Sequence, residues 1–169
     1  VLFPSMDTSQ SEEWNNNRKD NCLSTIEECL RTYGDEVVAI ISEPLQGAGG
    51  HRVAQPDFFR QLSQLAYDYD VFLGFDEVQT AGEQTGTIFA IEQFDLPYPP
   101  QAIATAKKFA NGVVYMLNSM TDRGILDSTW GGSLVDMVRF IQEMKIVEEE
   151  RLIEQVEENL FLFTKADLI

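Results

Sequence analysis

Apolar residues recur along this chain at two periods, and the alternation between them lays out its elements. In "CLSTIEECLRTYG" the residues Leu23, Ile26, Cys29 and Leu30 share one face of a helix that Gly34 closes. "VVAIIS", from Val37, is a short β-branched run that reads as a buried strand. In "EPLQGAGG", Pro44 and Gly47, Gly49 and Gly50 oppose regular structure and allow close backbone approach. "PDFFRQLSQLAYDYD" has Pro56 at a first-turn position and repeats Phe58, Phe59, Leu62, Leu65 and Ala66, the pattern of an amphipathic helix. "VFLGF" from Val71 is the next strand, and "QAIATA", 101–106, is a third and weaker one. From Leu134 onward the periodicity is helical again, giving one long helix and the start of another, with the "EEE" at 148–150 on a solvated face. Residues 1–20, with "WNNNRKDN", read as an irregular N-terminal segment.

Strand, helix and strand at this spacing form a βαβ unit, so the expected fold is α/β around a parallel sheet. In such sheets ligands bind beyond the carboxyl ends of the strands. The three strands are followed by Glu43, by Asp76 with Glu77, and by Lys107 with Lys108. Two carboxylates and a lysine at one edge suit proton-transfer chemistry, with the lysine as a nucleophile. Each residue also has a plain structural reading. Asp76 can cap the next segment, Glu43 can pair with Arg52, and the lysines can be solvated charges.

Composition narrows the partners. With 12 basic and 28 acidic residues the formal charge is −16, which repels phosphate backbones and anionic lipid surfaces, so no nucleic-acid partner is expected. No stretch reaches the roughly 20 apolar residues of a membrane helix, so no membrane partner is expected and a cytoplasmic location is. Cys22 and Cys29, with one His in the chain, make no zinc set, so both read as reduced thiols and no metal site is expected. A strand ending in "DE" also occurs in P-loop hydrolases, but these residues contain no Gly-Lys pair for the phosphate loop.

"SEPLQGAGG", "GFDEVQTAGEQTG", "ATAKKFANG" and "DSTWGGS", in that order, resemble four segments of the class III, fold type I aminotransferases that depend on pyridoxal 5'-phosphate. The resemblance covers about residues 37–157. It implies that residues 21–169 are part of the cofactor-binding large domain, truncated at both ends. It also implies that Asp76 bonds the pyridine nitrogen, Val78 packs beneath the ring and Gln79 bonds the ring's phenolic oxygen, with Glu43 nearby in a positioning role. Lys107 would carry the cofactor and shuttle the proton, since it directly follows the small Ala106 and neighbouring side chains at a strand end diverge; Lys108 is left as a solvated charge. Thr129, with Ser128 beside it and Gly131 and Gly132 following, would reach the cofactor phosphate of the other subunit, which implies a homodimer with shared sites.

"STWGGSLVDMVR", the "AKK" doublet and "EQTGTIFAIEQFDL" are most similar to the branch of the family that moves the terminal amine of lysine to 2-oxoglutarate. The expected partners are therefore an amino acid and a 2-oxo acid. Alternatives are another ω-amino-acid or diamine aminotransferase and an inactive homologue. Two departures bear on that choice. Ala48 stands where such enzymes usually have a gate glutamate, and "AGEQ", 81–84, replaces a Gly-x-Gly-Arg segment. The phosphate loop, the ring-stacking aromatic and the substrate-binding arginines that the resemblance implies do not lie in these residues, so the segment alone is expected to have little activity.

Overall fold

A computed structural model describes residues 1–119, 121 and 129–156. The first helix, α1 (Glu12–Tyr33), begins well inside the segment expected to be irregular. Asparagines are poor helix formers, but tertiary bonds override that preference here. The Ser11 hydroxyl accepts from Trp14 N–H at 3.2 Å, and Glu12 and Glu13 favour the positive end of the helix. Asn15 is buried, accepting from Asp7 N–H at 2.8 Å and donating to Asp7 C=O at 2.9 Å. Lys19 reaches Asp57 of the second helix at 2.6 Å.

Four strands form the main sheet in the order β1 (Ala39–Ser42), β4 (Phe72–Asp76), β5 (Ala102–Thr105), β6 (Val113–Met116). The first three are parallel, with Ser42 opposite Phe75 and Asp76 opposite Ala104. β6 runs antiparallel to β5 and was not expected, because "GVVYM" is short and three of its four strand residues are exposed. β1 lies at an edge of the described sheet, so it is not the buried strand expected: Ile41 is 74% exposed. The glycine-rich loop is also more regular than expected. β2 (Leu45–Gln46) and β3 (Arg52–Val53) form a small antiparallel ribbon, turned by Gly50 at φ +105° and His51 at φ +53°.

The core lies between the sheet and α2 (Pro56–Asp68), whose residues Phe58, Phe59, Leu62 and Ala66 face Leu73 and Phe75 of β4. Phe59 stacks on Phe94 with ring centres 4.2 Å apart. This packing behind β4 fixes the strand whose far end carries the candidate chemistry. A third helix, α3 (Leu134–Glu149), starts at the expected residue, is capped by Ser133 and stacks Phe140 on Phe109 at 4.9 Å. After a turn over 151–154 the chain is helical again at Gln155 and Val156, and the rest of the helix expected to follow lies outside the described residues.

Candidate active site

β4 ends in two adjacent carboxylates with different surroundings. Asp76 is half-buried, and its Oδ1 accepts from Val78 N–H at 3.0 Å. Its Oδ2 makes no hydrogen bond among the described residues. Glu77 is fully buried at 0% exposure. It accepts from Ala90 N–H at 3.1 Å, from Ile91 N–H at 2.9 Å and from the Thr80 hydroxyl. Its own N–H extends the ladder to Ala104 C=O at 2.8 Å. Glu77 thus holds the start of the 3-10 turn Ala90–Phe94 and is withdrawn from the strand-end group in which the sequence had placed it.

The next register step after Ser42 and Phe75 brings Glu43 alongside Asp76, and both line a cleft of about 460 Å³. Glu43 accepts weakly from Gly47 N–H at 3.4 Å, and no ion pair with Arg52 forms among the described residues. Gly47 lies close against the Gln79 side chain: a Cβ there would come within 2.8 Å of Nε2 of Gln79, which would have to shift. That approach brings the β2–β3 ribbon against the segment after β4, where Gln79 is exposed. Val78, between Asp76 and Gln79, is half-buried.

Lys107 and Lys108 do not continue β5, so strand alternation does not separate their side chains. They open the 3-10 turn Lys107–Phe109, with Lys107 at φ +55°. Lys108 packs its stem on the backbone of Gly82, where a Cβ would come within 2.7 Å of its own Cβ. Lys107 is exposed, and its amine makes no hydrogen bond or ion pair among the described residues. Both lysines line a second hollow, between this turn and α3, distinct from the cleft of Asp76 and Glu43. Thr129 is exposed in a turn that continues through Gly132, at φ +75°. Ser128 lies outside the described residues.

One residue of that second hollow escaped the sequence reading. Glu83 is 6% exposed, sits at φ +75°, and leaves its buried Oε2 without a partner. Burial pushes its carboxyl up from the ordinary range, and Lys108 only partly offsets this. The replaced glycine pattern in "AGEQ" was the available signal.

The mostly parallel α/β sheet, with a carboxylate oxygen of Asp76 at the end of β4 and the amine of Lys107 in the turn after β5 left without a hydrogen bond among the described residues, is that of part of a fold type I transferase, as its likeness to solved aminotransferases shows. The model of the class-III aminotransferase family matches residues 2–166, and the chain belongs to that family. It is 36% identical to the 4-aminobutyrate aminotransferase of Schizosaccharomyces pombe over 151 residues, 87% of this chain and 31% of that protein. It is likewise 36% identical to the L-lysine-epsilon aminotransferase of Mycobacterium tuberculosis over 147 residues, 82% of this chain and 32% of that one. Among solved structures, a lysine aminotransferase from M. tuberculosis superposes with a TM-score of 0.88 and 31% identity, covering 98% of this chain and 40% of its own. The chain therefore spans about a third of the length of the curated relatives it matches.

Proposed function

We propose that the full-length protein carrying these residues is a pyridoxal-phosphate-dependent aminotransferase that moves the terminal amine of L-lysine to 2-oxoglutarate, leaving glutamate and a lysine-derived semialdehyde. The observation that carries the reading is that β4 ends at Asp76 while the neighbouring parallel strand β5 leads through Ala106 to Lys107, each residue keeping a polar side-chain atom without a hydrogen bond among the described residues. The donor set fits the cofactor. A carboxylate suits a protonated ring nitrogen, an amide suits a phenolic oxygen, and a lysine amine suits an aldehyde carbon. Pyridoxal phosphate, when bound, supplies an electron sink for the carbon that loses its proton.

Asp76 presents Oδ2 to the ring nitrogen and keeps that nitrogen protonated, while its Oδ1 stays tied to Val78 N–H. Val78 would pack against the ring, and Gln79, whose side chain lies close to Gly47, would bond the phenolic oxygen. Glu43 positions the group from the same cleft as Asp76. Lys107 removes the proton from the amine-bearing carbon of the substrate with Nζ and returns one in the second half of the cycle. Ser128 and Thr129 hold the phosphate of the partner's site, so the enzyme works as a homodimer. The exposed turn from Thr129 supports that arrangement. A cytoplasmic location accords with the finding that no helix among the described residues is long and apolar enough to cross a membrane.

A second reading, another ω-amino-acid donor such as 4-aminobutyrate, is favoured by the equal identity to the S. pombe enzyme and by Ala48 at the exposed tip of the β2–β3 ribbon. The test is to incubate the full-length protein with pyridoxal phosphate, reduce with borohydride, digest, and map the labelled peptide. Label on Lys107 that vanishes in Lys107→Ala, with turnover lowered on the order of 10³-fold or more, supports the assignment. A folded, dimeric protein that takes no label is an inactive homologue. A panel of lysine, ornithine and 4-aminobutyrate separates the two donor readings.

A further inference from the structure

The hollow beside Lys107 has a composition of its own. It measures about 330 Å³ and is lined by Lys107, Lys108, Gly82 and Glu83 on one side and by Glu143, Met144, Ile146 and Val147 of α3 on the other. Met144, Ile146 and Val147 make an apolar wall suited to a run of methylenes. Glu143 is already engaged by Arg139 at 3.3 Å. Glu83 is not engaged: it is 94% shielded, with an orphaned carboxylate oxygen, and nearby Lys108 forms no hydrogen bond to it among the described residues. A buried carboxylate without a partner is costly, and an arriving cation relieves the cost.

We infer that this hollow receives the non-reacting end of the substrate and that Glu83 selects substrates whose far end carries an ammonium group, such as diamines and diamino acids. The inference rests on the aminotransferase reading and sharpens it. The amine that reacts lies at Lys107, the carbon chain lies along Met144, Ile146 and Val147, and the second ammonium meets Glu83. A far end that is only a carboxylate, as in 4-aminobutyrate, meets repulsion there instead. Glu83 occupies a left-handed backbone position, φ +75°, that glycine adopts without strain. The replacement places a carboxylate at a point where a glycine offers none.

The experiment uses the full-length protein and three amines: 1,5-diaminopentane, L-lysine and 4-aminobutyrate. Binding of 1,5-diaminopentane is measured by calorimetry without pyridoxal phosphate, and turnover of all three with it. Glu83→Gln and Glu83→Gly are both expected to weaken diamine binding by about tenfold or more and to raise KM for lysine rather than lower kcat, while 4-aminobutyrate improves. The glycine variant guards against a folding artefact, because it relieves the backbone. Equal loss on all three amines, or diamine binding unchanged in both variants, overturns the inference. Diamine binding that depends on Glu83 without turnover of any amine upholds it and removes the aminotransferase reading. Lysine turnover that both variants leave untouched does the reverse.

Discussion

Three donors meet the carboxylate of Glu77, which is what allows it to stay fully buried beside the open Asp76. The pair therefore separates stability from chemistry. Glu77→Ala leaves two backbone N–H groups and the Thr80 hydroxyl without their acceptor and should cost on the order of 3 kcal/mol or more, read from the urea midpoint of the full-length protein. Asp76→Asn should keep that midpoint within about 0.5 kcal/mol, since Oδ1 can still accept from Val78, yet should abolish turnover. Glu83 runs the other way. Its folded-state pKa is raised by burial, so the folded protein holds that proton more tightly than the unfolded chain does. Its contribution to stability is therefore full below the ordinary carboxylate range and is lost as pH rises through the raised value. Lys107, Lys108 and Glu143 line the same hollow, and among them Lys108 opposes the shift. Glu83→Gly should raise stability at neutral pH by about 1–2 kcal/mol, from relief of both the buried charge and the left-handed backbone. The gain should shrink, without reversing, as the solution is acidified. A gain that grows towards low pH would contradict the assignment.

At the scale of elements, the packing of α2 on β4 aligns the site. Phe59 is fully buried between Phe58, Phe75 and Phe94, so Phe59→Ala should cost about 3–5 kcal/mol and weaken cofactor retention indirectly. A thermal scan of the holoenzyme, with and without added pyridoxal phosphate, reads both effects. α2 and β4 were legible because one period, 3.6 or 2, ran through each and its apolar face matched its burial. α1 was legible only from Asn21 onward, because its first turns are held by Ser11, by Asn15 bonded to Asp7, and by Lys19 bonded to Asp57, none of which leaves an apolar pattern. β6 escaped for a similar reason: its residues pair with β5 while remaining largely exposed, so no burial signal marks them. The site divides along the same line. Asp76 and Lys107 stand where strands stop, which is readable from sequence. The Gly47–Gln79 contact and the isolation of Glu83 arise only when distant segments meet.

The molecule as a whole leaves apolar surface that its described residues do not cover. Ile41 on the edge strand is 74% exposed, and Leu134, Val135 and Val138 lie open along α3. Trp130 is 82% exposed within the turn that follows Thr129. A patch of this kind next to a proposed phosphate-holding hydroxyl fits a surface met by another subunit. If each site draws Lys107 from one subunit and Thr129 from its partner, two defective proteins can repair one another. Lys107→Ala alone should be inactive, and Thr129→Ala should fail at limiting pyridoxal phosphate. In a hybrid dimer one site carries both lesions and the other carries neither. Unfolding and refolding an equal mixture makes half the dimers hybrids, each with one intact site, so about a quarter of the wild-type activity should return. Separate refolding of each variant supplies the baseline. Recovery near that quarter at limiting cofactor would establish the shared site, whereas an inactive mixture of well-formed dimers would mean that Lys107 and Thr129 serve the same subunit, or that Thr129 does not hold the phosphate.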